Sequence, residues 1–255
     1  MASQIAAQLY TLRDFCKTPA DIAASLKKVK RIGYDAVQVS GLGKIDPKEL
    51  STILKGEGLT CCATHIGLDR MKSEPQAVAD EHHLWGCKYT AIGGFGWADM
   101  TEQGWLDFAK DYNTVAVNMA KLGVAVGYHN HSHELVKYNG RTALDLLWEQ
   151  FDQSVWMEID TFWITHGGGD PIQWVNKVAG RIPCIHLKDM AITMPDRKQI
   201  MAEVGEGNLN FPGIIEAAKK AGTQWFIVEQ DNTNGRDPFE SLSISLKNVK
   251  AMGIS

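Results

Sequence analysis

The sequence lacks a pattern by which its cysteines could pair. Cys16, Cys61, Cys62, Cys87 and Cys184 are scattered over 255 residues, and no two of them form a Cys-x-x-Cys motif. Three of them lie in apolar runs typical of buried strands, where a reduced thiol behaves as a small hydrophobic residue. These spacings argue against a disulfide-stabilised secreted domain and favour a reducing compartment.

Excess positive charge and long apolar runs are also missing. The net charge is −4 and the isoelectric point is near 6.1, which gives no support to a nucleic-acid partner. No run approaches the roughly 20 apolar residues that cross a bilayer, so no membrane partner is expected. The first ten residues lack the charged start and apolar stretch of a signal peptide. We therefore expect a cytoplasmic protein, unless a leader has been removed.

Short apolar runs alternate with segments of helical apolar spacing along the whole chain. The predicted strands are 5–8, 36–39, 60–64, 89–92, 124–128, 155–159, 184–186 and 226–228. The predicted helices are 18–32, 46–57, 75–85, 105–122, 143–150, 171–178, 212–221 and 238–252. At five places a glycine suited to a left-handed helix end stands between helix and strand. These glycines are Gly33, Gly58, Gly86, Gly123 and Gly222.

Eight alternating units predict an α/β fold, a single (β/α)8 TIM barrel spanning residues 1–255. The length agrees with the roughly 250 residues that such a barrel takes. An open doubly wound sheet is the alternative. It would be expected to carry a glycine-rich phosphate turn after the first strand, whereas residues 9–12 contain no glycine.

Acidic or imidazole side chains stand near the ends of the last four predicted strands. They are Glu134, Asp160, His186 and Glu229. Because a parallel barrel gathers its strand C-termini at one mouth, these residues are expected to surround one divalent metal ion. Three carboxylates and one imidazole suit Mn²⁺ first, with Mg²⁺, Co²⁺ or Zn²⁺ as alternatives, and the lack of sulfur argues against a structural zinc site. For each residue alone, a polar group at the barrel rim is the simpler interpretation.

The strand-five position of this set is open. In an extended strand His129, His131 and His133 face one side, and Glu134 faces the other. Either the strand ends near Asn130 and the chain turns, or an imidazole, His129 or His131, replaces Glu134 as the ligand.

Further side chains are expected to contact a substrate at the mouth. They are Gln8, Tyr10, Gln38, His65, Trp97, His129 and Trp163. Indole faces commonly stack on sugar rings, although packing against the barrel explains the loop tryptophans equally well. The segment 203–208 precedes a helix, so its backbone amides could meet an anionic group, and a phosphate on the substrate stays open.

These residues also carry a family resemblance over nearly the whole chain. The motifs are Tyr128-His129-Asn130-His131 with Glu134, Glu158-Ile159-Asp160-Thr161, His186-Leu187-Lys188-Asp189, Gly205-Glu206-Gly207 and Val228-Glu229. Together they resemble the sugar phosphate isomerase/epimerase group of xylose-isomerase-like barrels. The resemblance implies that Glu134, Asp160, His186 and Glu229 bind the metal. It also implies proton abstraction beside a carbonyl of a keto-sugar or related polyol, through a metal-stabilised enediolate.

Several outcomes are compatible with that chemistry. An isomerase or epimerase is expected first, with Glu134 or Glu229 as the base. A lyase, either an inosose-type dehydratase or a 3-keto-glycoside eliminase, is the alternative, with His131 as the base. Lys188 would stabilise the enolate oxygen or pair with Asp189. An endonuclease-IV-like phosphodiesterase and a non-catalytic sugar-binding barrel are less expected.

The sequence predicts a small-molecule partner, a sugar or a cyclitol, and leaves the oligomeric state open. Trp85, Trp105 and Trp148 fall on predicted helices, where they would serve either the core or a homo-oligomer interface.

Overall fold

A computed structural model describes residues 4–95 and 100–254. Within them, eight parallel strands close into one barrel. The strands are Ile5–Gln8, Ala36–Val39, Thr60–His65, Tyr89–Ile92, Ala125–His129, Trp156–Asp160, Cys184–Leu187 and Trp225–Val228. The first strand pairs with the second and the eighth, since Ala7 lies opposite both Val37 and Val228. This arrangement confirms the predicted (β/α)8 barrel.

The strands that carry the polar residues are displaced from the prediction. The fifth and sixth strands begin and end one residue later than expected. The reason lies in the ladder, because His129 still pairs with Glu158, and Asp160 still pairs with His186. The polar residues His129 and Asp160 are therefore the last residues of their strands at the mouth of the barrel, and they do not belong to the loops that follow.

Helices cover the outside of the barrel. They are Pro19–Ile32, Pro47–Glu57, Leu68–Ser73, Pro75–Trp85, Glu102–Lys121, Ala143–Gln150, Thr161–His166, Pro171–Lys177, Phe211–Lys220 and Pro238–Ala251. The eight predicted helices are all present, with bounds that differ by three residues at most. The five glycines predicted after helices all have positive φ, between 63° and 112°.

The short elements at the mouth were not predicted from the sequence pattern. Leu68–Ser73 and Thr161–His166 are single short helices, and Leu9–Phe15 and His133–Leu135 are 3₁₀ turns. Thr161–His166 follows its strand without a loop, because Asp160 Oδ1 accepts a hydrogen bond from Trp163 N at 2.9 Å and caps the helix. Two hairpins complete the mouth. They are Lys137–Tyr138 with Arg141–Thr142, and Asp189–Ile192 with Gln199–Ala202.

The barrel interior is apolar at one end and polar at the other. Small residues and Trp156 fill the apolar end, and a Cβ on Gly127 would overlap the Trp156 indole. Gln8, Gln38 and Glu158 are buried at the polar end, toward the mouth. The larger apolar core lies between barrel and helices and includes Trp105; Trp85 and Trp148 pack against it while partly exposed.

Two expectations from composition can be compared with the structure. All five cysteines lie within the described ranges, and each is buried with a free thiol. For Cys61, Cys62 and Cys184 this confirms the prediction made from their apolar surroundings. Among the described residues, the helices are too short or too polar to span a lipid bilayer.

Candidate active site

Four buried side chains from the last four barrel strands converge at the mouth. They are His129, Asp160, His186 and Glu229, and each offers a ligand atom within 4.8 Å of the others. His186 Nδ1 lies 2.8 Å from Glu229 Oε2 and 3.7 Å from Asp160 Oδ2. His129 Nε2 lies 3.2 Å from Asp160 Oδ2. We call these four residues the convergent cluster.

The convergent cluster has the composition of a transition-metal site. Two imidazoles and two carboxylates form a mixed nitrogen and oxygen donor set, which suits manganese, iron, cobalt or zinc better than calcium. His129 Nδ1 is buried without a hydrogen-bond partner among the described residues. Hydrogen bonds within the fold therefore do not occupy all the nitrogen and oxygen atoms of these four side chains. The cluster can therefore hold one divalent ion.

Glu134, the expected ligand after strand five, stands outside the convergent cluster, and His129 takes that place. The strand ends at His129 and the chain turns into the 3₁₀ segment, which directs the Glu134 carboxylate back toward the strand. There it accepts hydrogen bonds from the Tyr128 hydroxyl and the His131 backbone amide, both at 2.8 Å. Burial raises the pKa of Glu134. The chain therefore turns after the strand, and the imidazole of His129 stands in the convergent cluster where the Glu134 carboxylate was expected. That His129 is the strand-five ligand stays a prediction.

Glu158 lies at the centre of a polar layer beneath the convergent cluster. Its Oε1 accepts a hydrogen bond from Gln38 Nε2 at 2.8 Å, and its Oε2 lies 2.6 Å from His65 Nε2. Gln38 Oε1 in turn accepts from Gln8 Nε2 at 2.8 Å and lies 2.6 Å from His186 Nε2. Gln8 and Gln38 are thus buried supports of Glu158 and His186.

Glu158 belongs to one of the motifs that carry the family resemblance, but no role at the site was predicted for it. The available signal was its spacing from Asp160, because residues two apart in a strand face the same side. His65, Glu158 and His186 also form a second group with ligand atoms within 4.8 Å.

Opposite charges determine the ionisation of these buried groups. Burial favours the neutral form of Glu158, but His186 and His65 outweigh it and hold the pKa of Glu158 well below its usual range. Burial also favours the neutral form of Asp160, but Lys188 and His129 outweigh it and hold the pKa of Asp160 well below its usual value. Burial would lower the pKa of His186, but Glu158 and Glu229 raise it well above its usual value.

Two further imidazoles at the mouth, His129 and His131, are held neutral. Burial, together with the neighbouring His186, lowers the pKa of His129 to about 4. Burial and then His129 also lower the pKa of His131. Both rings are therefore unprotonated at neutral pH.

Lys188 is buried among three carboxylates, and its neighbour Asp189 is not one of them. Its ammonium lies 2.8 Å from Glu229 Oε2, 3.0 Å from Asp231 Oδ2 and 3.1 Å from Asp160 Oδ2. Asp231 was missed from the sequence, although it follows Glu229 by two residues. Burial and Glu229 raise the pKa of Asp231 to about 6. Lys188 therefore balances the negative charge of the site.

A cavity of about 390 Å³ opens above the convergent cluster. Its walls combine imidazole, aromatic and hydroxyl groups. The lining residues are Tyr10, Ser40, His65, Gly93, His129, His131, Ser132, His133, Trp163, Lys188, Glu229 and Asp231.

The cavity brings together most, but not all, of the predicted mouth residues. Tyr10, His65, His129, His131 and Trp163 line it, whereas the supports Gln8 and Gln38 lie below it. The Trp163 ring stands 5.2 Å from the His131 ring, and the Lys188 ammonium lies 5.7 Å from the Trp163 ring centroid. Trp97 lies outside the described residues.

Comparison with known proteins identifies similar barrels. A family model described as xylose isomerase-like TIM barrel matches residues 26–251. Inosose dehydratase of Geobacillus kaustophilus (strain HTA426) is 26% identical over 244 residues, which cover 81% of this chain and 79% of that protein. A sugar phosphate isomerase/epimerase from Parabacteroides distasonis ATCC 8503 has a TM-score of 0.82 at 22% identity, over 100% of this chain and 96% of that one. A D-allulose 3-epimerase from Methylomonas sp. has a TM-score of 0.70 at 13% identity, over 99% and 100%. These structural likenesses show the fold.

Proposed function

Because the chain belongs to the xylose isomerase-like TIM barrel family, we propose that it is a metal-dependent lyase that removes water from a cyclic keto-polyol of the inosose type. The convergent cluster His129, Asp160, His186 and Glu229 would hold the ion, with Mn²⁺ as the first candidate. When bound, such an ion polarises a carbonyl as a Lewis acid. The relative that covers four-fifths of the chain is named as an inosose dehydratase.

The position of His131 carries the choice of a lyase over an isomerase. From the sequence an isomerase is expected first, with Glu134 or Glu229 as its base, whereas His131 would be the base of a lyase. In the structure His131 lines the cavity, and Glu134 is buried behind it, held by Tyr128. A base must come within hydrogen-bond reach of the proton that it removes, and this requirement favours His131 over Glu134. Glu229 also lines the cavity, but it is assigned to the ion and contacts Lys188 at 2.8 Å.

The side chains of the cavity suit an elimination with one base. His131 would take the proton from the carbon beside the carbonyl, and the electron pair of that bond would form a carbon–carbon double bond as the hydroxyl on the next carbon leaves. The proton held by His131 would then pass to that hydroxyl, which departs as water. Trp163, at 5.2 Å from His131, would form the wall against which the ring of the substrate lies. Lys188 would keep Glu229 and Asp231 in place.

The experiment offers Mn²⁺-loaded protein a panel of inososes and ketohexoses in deuterated water. We expect loss of water from an inosose, seen as a new ultraviolet-absorbing enone and by mass spectrometry. His131→Ala should reduce turnover by about 10²–10⁴-fold while Mn²⁺ binding is retained. The matched control is His83→Ala, because His83 is exposed and is not among the residues that line the cavity. Neither water loss nor deuterium uptake in any keto-polyol, or a fully active His131→Ala variant, would refute the proposal.

An epimerase is the second candidate, because Glu229 also lines the cavity. It would exchange the same proton but return it to carbon, so deuterium would enter the substrate without loss of water. The products of one reaction therefore separate the two candidates. A phosphodiesterase is less favoured, since Glu229 and Asp231 place carboxylates where a phosphodiester would have to bind.

A further inference from the structure

We propose that the cavity takes a substrate without a phosphate or carboxylate group, because carboxylates of the chain itself already fill the places that would hold an anion. The inference rests on the proposed function and narrows its substrate to an uncharged polyhydroxy ketone. Two independent features of the mouth carry it: the backbone amides after strand seven and the surroundings of Lys188.

The first feature is the loop after strand seven, where barrel enzymes frequently bind phosphate. The amides of Gly205 and Gly207 both donate to Asp189 Oδ2 at 2.9 Å. The amides of Met190 and Leu209 donate to Asp189 Oδ1 at 2.7 and 3.2 Å. Four converging amides form the type of concavity that binds anions, and here the anion is Asp189.

The fit between Asp189 and this loop leaves no room for a second anion. Asp189 is 1% exposed. A Cβ on Gly207 would overlap both the Asp189 carboxylate and the Met190 carbonyl oxygen, so the loop backbone is in direct contact with the side chain. The segment that the sequence marks as a candidate anion site is therefore satisfied from within the chain.

The second feature is the charge of the cavity wall. Among the described lining residues, Lys188 is the one lysine or arginine, and an ammonium has three hydrogens to donate. Asp160, Glu229 and Asp231 stand within 3.1 Å of that ammonium, one for each hydrogen. Apart from the ion proposed for the convergent cluster, a phosphate would find no free lysine or arginine among the described lining residues. It would instead meet the carboxylates of buried Glu229 and partly exposed Asp231, and like charges at such distances repel.

The neighbouring basic side chains His65 and Arg13 do not supply a cation for a phosphate in the cavity. His65 lines the cavity but is paired with Glu158 at 2.6 Å. Arg13 donates to the backbone oxygens of Tyr10 and Asp231 and is not among the lining residues. Residues 96–99, outside the described structure, include neither lysine nor arginine in the sequence.

The rest of the wall suits hydroxyl groups. Ser40, Ser132 and Tyr10 bring hydroxyls to the cavity, and Trp163 brings an aromatic ring. The Trp163 indole N–H is buried without a hydrogen-bond partner among the described residues. Uncharged polar groups on partly apolar walls are the usual surroundings of a neutral ring with several hydroxyls.

The test compares each neutral ligand with its own phosphate ester. Mn²⁺-loaded wild-type protein is titrated calorimetrically with inososes, ketohexoses, their monophosphates and inorganic phosphate. We expect a neutral ligand to bind, its monophosphate to bind at least about tenfold more weakly, and inorganic phosphate to give no binding heat. A monophosphate that binds as tightly as its parent would overturn the inference and leave the proposed lyase standing. If neither class binds or reacts, the proposed function falls, and the inference falls with it.

The variant Asp189→Ala tests the amide concavity directly. It frees four backbone amides, so inorganic phosphate should raise the melting temperature of the variant but not that of the wild type. Asp189→Asn, which keeps one acceptor oxygen, replaces it if the alanine variant does not fold, and a smaller rise is then expected. A folded variant whose melting temperature ignores phosphate would contradict the role assigned to Asp189.

Discussion

Replacing Lys188 with methionine should destabilise the fold far more than removing a surface lysine. The Lys188 side chain is 2% exposed, and its ammonium contacts the carboxylates of Asp160, Glu229 and Asp231. Removing one partner of a buried ion pair costs about 3–5 kcal/mol, because the remaining charge stays buried without compensation. For a chain of this size that corresponds to a fall of roughly 6–20 °C in the melting temperature.

Urea and thermal unfolding at neutral pH measure this effect, and Lys220→Met provides the matched control. The Lys220 ammonium pairs with Glu216 on an exposed helix face, where side chains are 73% and 67% exposed, so its loss should cost at most about 0.5 kcal/mol. Adding Asp231→Asn to Lys188→Met should recover part of the loss, because it removes one uncompensated charge. If Lys188→Met unfolds within about 1 kcal/mol of the wild type, the charge balance described for the site is incorrect.

Two further predictions concern the barrel itself. Gly127→Ala should destabilise by about 1–3 kcal/mol in urea unfolding, because the added methyl overlaps the Trp156 ring. Gly56→Ala, on a helix with open space around its Cα, should be neutral or slightly stabilising; equal effects of the two would contradict the packing. Burial lowers the pKa of His82, so the folded state favours the neutral ring. Its contribution to stability is present above about pH 6.5 and is lost as pH falls below it, and His82→Gln should show a weaker decline there than the wild type.

Periodicity and helix-end glycines were sufficient to predict the barrel, because its eight strands and the eight longer helices each show their own apolar spacing. Gly33 and Gly58, for example, mark helix ends that the structure places in the left-handed region. The short helix Thr161–His166 was not predicted. It follows its strand without an intervening loop, and it is stabilised at its start by the side chain of Asp160. A helix of six residues is too short to show a clear apolar periodicity, so the sequence pattern does not predict it.

The site was predictable by strand but not by residue. Asp160, His186 and Glu229 converge as expected, whereas the strand-five position depends on where that strand ends. One residue of extension places His129 opposite Glu158 and sends Glu134 into the turn. Such a shift cannot be read from composition, because it is decided by pairing with a strand about 30 residues away in the sequence.

The oxygens of Asp189 show a second limit of sequence reasoning. The segment 203–208 precedes a helix, and its amides were expected to meet an anionic group such as a substrate phosphate. In the structure the amides of Gly205 and Leu209 instead donate to the Asp189 side chain, 16 to 20 residues earlier in the sequence. The carboxylate reaches the loop amides only in the folded protein, where strand Asp189–Ile192 pairs with strand Gln199–Ala202.

The most direct test of the account is the affinity of the protein for Mn²⁺, measured by calorimetry on wild type, Asp160→Asn and Glu134→Gln. The amide introduced by Asp160→Asn keeps an oxygen that can cap the following helix, so the fold is expected to survive. The convergent cluster predicts one ion per chain, a loss of more than about tenfold in affinity for Asp160→Asn, and wild-type affinity for Glu134→Gln. A wild type that binds no divalent ion, or a Glu134→Gln variant that loses the ion while Asp160→Asn keeps it, would contradict the account.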